Sequence, residues 1–462
     1  MQEGAMEQGS TPGLSRGLLS RHIVMMSLGG VIGAGMFLGS GSTIHLAGPA
    51  VVVDYLVGGI LLLFVLFALA EMSIHKPVAG SFLVYVRQYV GPMFGYLAGW
   101  LYWFCWVLVL AAECTAGATF LHFWLQGVPL WVLSLIISLA LTIVNLFQVR
   151  AYGEFEFWFA GIKIVTIILF SLLGFLLLVG AVPGHPAIGF GNLTAHGGFF
   201  PTGFSGLAGA LLVVMFSYGG SEMIGLTAAE TRDPGRTIPR AMVGVVWRTV
   251  LFYVLPLLVI VALVPWTTVG TGESPFVMVF RQVGVPFVDH VMNFVVLTAV
   301  LSSMNSGMYA VSRMLYSLGQ QGYAPGWLMK LSGRRVPIRA LLASTIFLWI
   351  GVGIAYKWPD QVFNYLMSIP GFSFLFVWML ILVAHVGFRR RVPQEELGKL
   401  PFHAWGYPVS TGLGILMLAV IIGLIVMSAE QRLGIWTSLG AMAVMLVGYG
   451  FVRRESRREV RP

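Results

Sequence analysis

Twelve mostly apolar segments follow one another along this chain, at about 21–45, 50–70, 96–124, 130–148, 155–182, 206–231, 241–265, 290–319, 338–356, 361–388, 408–428 and 434–452. A helix of about 20 apolar residues crosses the hydrocarbon of a bilayer. Inside lipid the backbone must satisfy its own hydrogen bonds, so continuous apolar runs of this length fold as helices. The expectation is an all-α integral membrane protein with twelve transmembrane helices. Composition agrees: 10% of the residues are charged, against about 25% in soluble domains. No large soluble domain fits.

Lysine and arginine orient the spans, because cytoplasmic loops carry an excess of both. With the N-terminus inside, 21 of these residues fall on the cytoplasmic side and 3 (Arg281, Lys357 and Arg432) on the outer side. Lys163, Arg248 and Arg313 remain within or at the ends of spans. The net charge of +9 therefore sits where membrane insertion needs it, and nucleic acid is not an expected partner. The tail before Ser15 lacks the basic-then-apolar pattern of a cleaved signal, so the first span is expected to direct insertion. Cys105 and Cys114 share one span, and nine residues of helix hold them about 13 Å apart, too far to bond to each other. The loop from Ser73 to Pro92 reads as a short interfacial helix, and Pro275–Phe280 as a short lid helix.

Glycine interrupts two of the spans. Ser27 to Gly41 contains six glycines, each weakening a helix by about 1 kcal/mol relative to alanine. Gly30, Gly33 and Gly35 predict a break at mid-membrane. Phe216-Ser217-Tyr218-Gly219-Gly220-Ser221-Glu222 predicts a second. Broken helices in lipid are tolerated where they line a protected cavity, and paired breaks in two halves mark a substrate site. Free N–H groups near Gly33, Ala34 and Gly35 suit a carboxylate. Free carbonyls near Ser217, Tyr218 and Gly219, with Gly220 beside them, suit an ammonium group. Together they describe a clamp for the head group of an amino acid. The alternative is that the glycines only let helices pack closely. Tyr218, placed in a break, could gate the site.

Charged groups inside the spans are candidates for function. Lys163 lies about two turns into an apolar span. Such an amine must be paired, hydrated or neutral, which suits proton coupling; the alternative is snorkelling to the cytoplasmic surface. Proton coupling is favoured because Glu154, Glu156 and the aromatic residues before Lys163 are expected to occupy the interface. Glu113 and Glu222 could move protons or bind a polar part of a substrate; either could instead bond a broken helix end. Ser302 and Ser303 could pair with the Lys163 amine, or bond their own helix. Histidines and acids form no metal-ligand spacing, His45, Glu71 and His75 included, and no phosphate loop is present. No metal or cofactor is expected, and no nucleotide drives the protein.

At these residues the sequence resembles the amino acid–polyamine–organocation superfamily, in its bacterial amino acid permease branch. The resemblance covers nearly the whole chain. It is strongest over Gly29–Phe37, Ala111–Ala116, Tyr152–Ile168, Phe216–Ala241 and Leu301–Gly319. Gly153-Glu154-Phe155-Glu156-Phe157-Trp158, Ala228-Ala229-Glu230-Thr231-Arg232-Asp233-Pro234 and Ile238-Pro239-Arg240-Ala241 are its most specific parts. It implies a LeuT-like fold of two inverted five-helix repeats plus two further helices. It also implies that Gly33–Gly35 and Ser217–Gly220 bind the substrate's carboxylate and amine. Lys163 would stand where sodium-driven relatives hold sodium, near the backbone of Gly29 and Ile32 and the hydroxyls of Ser302 and Ser303. Ala34 stands where some relatives place a hydroxyl; Tyr218 and Ser221 stand where many close relatives have phenylalanine and threonine.

The chain then divides into a cytoplasmic tail (1–20), spans 1–5 (21–182), spans 6–10 (183–388), a cytoplasmic linker (389–407), spans 11–12 (408–452) and a cytoplasmic tail (453–462). The expected function is proton-coupled import of an amino acid across the cell membrane by alternating access. The rivals are an exchanger or facilitator without proton coupling, and a sensor or channel. An intramembrane enzyme would need a paired nucleophile and base or a metal set.

Overall fold

The computed structural model describes Leu14 and residues 18–459, apart from 38, 148, 232, 271–273, 283–286, 358 and 428–431. Most of the N-terminal tail, residues 460–462, Arg232, and the side chains of several helical residues, Ala34 among them, lie outside it.

The described chain is helical. In order the helices are α1 (Ser20–Val31), α2 (Ala34–Phe37), α3 (Gly39–Ala47), α4 (Val51–His75), α5 (Phe82–Tyr89), α6 (Pro92–His122), α7 (Leu130–Asn145), α8 (Val149–Leu178), α9 (Asn192–Ala195), α10 (Gly203–Tyr218), α11 (Met223–Thr227), α12 (Pro234–Leu263), α13 (Pro275–Gln282), α14 (Val288–Gln320), α15 (Ile338–Lys357), α16 (Pro359–Arg391), α17 (Gln394–Leu397), α18 (Val409–Met427) and α19 (Arg432–Glu459). Among the described residues β-pairing is confined to one isolated bridge, Leu18 to Thr231. Among the described residues, nine helical stretches are long and apolar enough to cross a membrane. Two shorter apolar helices, Leu130–Asn145 and Ile338–Ile354, accompany them. The first expected span is divided among α1, α2 and α3.

The long helices pack around α14, which lies against α6, α8, α15 and α1. That position follows from its sequence. Ser302, Ser303, Ser306 and Gly307 make one stretch of it small, and small residues let helices approach closely where no water drives association. At Gly307 an added Cβ would meet Trp106 of α6 at 2.8 Å. The last two helices are peripheral: only 28% of the apolar window of α18 and 11% of that of α19 is buried, leaving most of their surface for lipid.

Two expectations change in detail. Helix α5 forms, but Phe82, Leu83, Tyr85, Val86 and Tyr89 are buried against α6 and α16, so its apolar face covers protein rather than bilayer. Glu71 joins a cluster that its neighbours in sequence do not announce. Its carboxylate accepts from His385 Nε2 at 2.8 Å, Arg389 Nη2 at 2.9 Å and the Ala404 N–H at 3.1 Å. His385 Nδ1 also lies 3.0 Å from the Thr411 hydroxyl. This buried cluster ties α4, α16, the linker and α18 together.

Candidate functional site

Both expected breaks exist, and each has a physical cause. The chain leaves α1 at Val31, bends at Ile32 and Gly33, and restarts as α2. The first backbone bond of that turn runs from the Met36 N–H to the Gly33 carbonyl, at 3.2 Å. The N–H groups of Gly33, Ala34 and Gly35 thus precede the first bonded N–H, at the positive end of the turn. Glycine is required at position 33 for closeness: a Cβ there would lie 2.6 Å from Glu113 Oε1 and 2.7 Å from Ser303 Oγ. At the second break α10 ends at Tyr218 and α11 begins at Met223. Gly220 has φ +98°, a left-handed conformation that disfavours a side chain.

The carbonyls of the second break already accept bonds. The Phe216 carbonyl accepts from the Gly219 N–H at 3.0 Å, that of Ser217 from the Tyr253 hydroxyl at 2.8 Å, and that of Tyr218 from the Ser221 hydroxyl at 3.0 Å. This corrects the expectation of free carbonyls at Ser217 and Tyr218. Each carbonyl has two lone pairs, so a further donor can still be received. Glu222 holds the same turn: it accepts from the Gly220 N–H at 3.1 Å and from Trp378 Nε1 at 3.1 Å. It thus bonds the broken helix end, the alternative role read from sequence.

The two breaks face one small cavity. Gly33 and Gly35 come from the first break and Phe216, Ser217 and Gly219 from the second; Glu113 and Ser303 supply polar groups, and Trp106, Val109 and Phe374 complete the lining. Six sequence-proposed positions therefore meet: Gly33, Gly35, Glu113, Ser217, Gly219 and Ser303. Tyr218 does not line the cavity. It is fully buried beneath it, its hydroxyl donating to the Tyr55 carbonyl at 2.6 Å and its ring packed against Tyr55 and Tyr253. Phe216, two residues earlier, takes the lining place expected of Tyr218. The side chain of Ala34 is outside the described residues.

Lys163 is fully buried, and its Nζ donates to the Ile32 carbonyl at 2.8 Å. Snorkelling is thereby excluded for this conformation. Ile32 thus serves the amine through its carbonyl, at the bend itself. Glu154 lies near the surface as expected and pairs with Arg21. Glu156 does not: it is fully buried, accepting from the Ser302 hydroxyl and, at 3.1 Å, from Asn305 Nδ2. Ser303 donates to Glu113 Oε1 at 3.0 Å. The two serines proposed as partners of the amine thus donate to carboxylates around it.

Some of what the sequence reading missed was readable. Trp106, Val109 and Glu113 recur at helical spacing on α6, so one face carries all three. Glu156 and Lys163 are seven residues apart, two turns along one face of α8. Phe374 and Tyr253 carry no such mark, because they reach the site from helices remote in sequence.

The amino acid permease family model matches residues 22–451. Three proteins of Bacillus subtilis (strain 168) are similar over most of their length. An uncharacterized amino acid permease, YvbW, is 46% identical, over 92% of this chain and 95% of its own. A gamma-aminobutyric acid permease is 44% identical, over 89% and 88%. A probable threonine/serine transporter, YbxG, is 38% identical, over 94% and 94%. With apolar helices throughout, two broken ones facing a single cavity, and this extent of similarity, the chain belongs to the amino acid permease family: it is a multi-span membrane transporter, not an enzyme.

Proposed function

We propose that the protein is a proton-coupled importer of a small amino acid, working by alternating access in the cell membrane. Twelve spans arranged as two inverted sets of five plus two, with both termini cytoplasmic, are part of this reading. The observation that carries it is the Lys163 amine on the Ile32 carbonyl, at the bend whose next residue lines the cavity. A group able to gain or lose a proton is bonded to the backbone that must move when the site changes the face to which it opens.

The substrate's carboxylate would meet the N–H groups at Gly33–Gly35, as anions do at helix starts. Its ammonium would take remaining lone pairs near Ser217 and Gly219. Glu113 lies against Gly33. A substrate carboxylate arriving there places two like charges in one dry site, and a proton taken up with the substrate relieves that repulsion. Trp106, Val109, Phe216 and Phe374 surround the rest of the substrate, which favours a short or apolar side chain. Relatives named for gamma-aminobutyric acid and for threonine or serine fit this size class.

Uptake into reconstituted vesicles tests the proposal. Labelled small amino acids, gamma-aminobutyric acid included, are supplied with and without an acid-outside pH gradient. Accumulation above the external concentration only with the gradient is expected. Equilibration without accumulation in both conditions would instead identify a facilitator or exchanger.

A further inference from the structure

Ser302 and Ser303 stand side by side on α14 but serve different carboxylates. Ser303, with Glu113, faces the cavity. Ser302 instead donates to the Glu156 carboxylate, which is fully buried. Glu156 lies two turns before Lys163 on the same face of α8, and the two carboxylates are bonded by neighbouring serines of α14. One belongs to the substrate's space; the other is sealed away from it.

The seat of Glu156 is a directed chain. Asn145 Nδ2 donates to the Leu141 carbonyl at 3.0 Å and to Asn305 Oδ1 at 2.8 Å. That turns the Asn305 amide so that its Nδ2 donates to Glu156 Oε2 at 3.1 Å. Ser302 and Asn305 are three apart on α14 and so share a face. Together they aim a donor at each oxygen of Glu156, which is how a charged carboxylate is held away from water. Each donor comes from a helix that packs beside α8.

We propose that Glu156 is the fixed counter-charge of Lys163, a positioning residue that sets how readily the amine takes its proton while Glu113 deals with the substrate. The proposal rests on the reading of Lys163 as the coupling group. The other titratable groups around α8 are few. Glu113 faces the amine from α6 and Tyr253 of α12 is within electrostatic reach of Glu113. Toward the cytoplasm Glu154 pairs with Arg21 and, at 3.1 Å, with His22 of α1.

The test is the pH profile of uptake into vesicles for wild type, Glu156→Gln, Glu156→Asp and Lys163→Ala. Removing an opposing charge near an amine makes protonation need more acid, typically by about 1 pH unit or more. The half-maximal pH of uptake is therefore expected to move acidward by about that much in Glu156→Gln. Glu156→Asp, whose carboxylate is one methylene further back, should fall between wild type and Gln. If the Gln variant does not fold, an acidward displacement in Asp supports the proposal and a profile superimposed on wild type overturns it. A folded Gln variant with an unmoved profile, or with no uptake at any pH, also overturns it. Lys163→Ala separates the two layers: if it still accumulates substrate from a pH gradient, the coupling role itself fails, whatever Glu156 does.

Discussion

The hydroxyl of Tyr253 donates to the carbonyl of Ser217 at 2.8 Å. A residue of α12 thereby fixes the end of α10, in the turn that faces the cavity. Tyr253→Phe removes that donor and keeps the ring. A buried hydrogen bond of this kind contributes about 1 kcal/mol, or about fivefold in an equilibrium. The KM for uptake is expected to change by about that factor with normal protein abundance. An unchanged KM would show that the Ser217 carbonyl needs no such support.

Gly33→Ala should be far more damaging than Gly35→Ala. At position 33 the new methyl meets Glu113 Oε1 at 2.6 Å and Ser303 Oγ at 2.7 Å, inside the site. At position 35 the nearest atoms, Phe216 Cε1 and Ser217 Oγ, lie at 3.2 Å, where a slight shift of a ring suffices. Overpacking typically costs about 1–3 kcal/mol. Initial uptake rates should fall by about tenfold or more for the first variant and modestly for the second, with both recovered from membranes in normal yield.

Tyr218→Phe should act on stability and not on selectivity. Its hydroxyl bonds the Tyr55 carbonyl at 2.6 Å, away from the cavity. Thermal unfolding in detergent is expected at a lower temperature, while the order of preference among competing amino acids stays as in wild type. A changed order would return Tyr218 to the gate role.

Glu71→Gln should loosen the attachment of the linker and α18. The Glu71 carboxylate and the Arg389 guanidinium are 2.7 Å apart, with the carboxylate fully buried. Breaking a buried pair by neutralising one partner costs about 3–5 kcal/mol. Faster protease cleavage within 389–407 is the expected outcome, read by limited proteolysis in detergent.

Much of this site was legible in the sequence because glycine in a membrane span has few uses. The clusters at Gly33–Gly35 and Gly219–Gly220 located both breaks, and the cost of an intramembrane charge singled out Lys163 and Glu113. Glu156 was misplaced because an acid near the start of a span usually meets water. Here three polar side chains from two other helices take water's place: Ser302 and Asn305 bond it directly, and Asn145 orients Asn305. Tyr218 was misassigned because position in a break does not say which way a side chain turns. Gly58 decided that, since a Cβ there would lie 2.7 Å from the Tyr218 ring: small residues on α4 leave the room the ring occupies. Phe374 and Tyr253 reach the site only through tertiary packing.

The coupling role of Lys163 is tested most directly by Lys163→Ala in vesicles, comparing accumulation driven by an acid-outside pH gradient with counterflow in its absence. Gradient-driven accumulation is expected to be lost while counterflow or substrate binding persists. Accumulation at the wild-type level would contradict it.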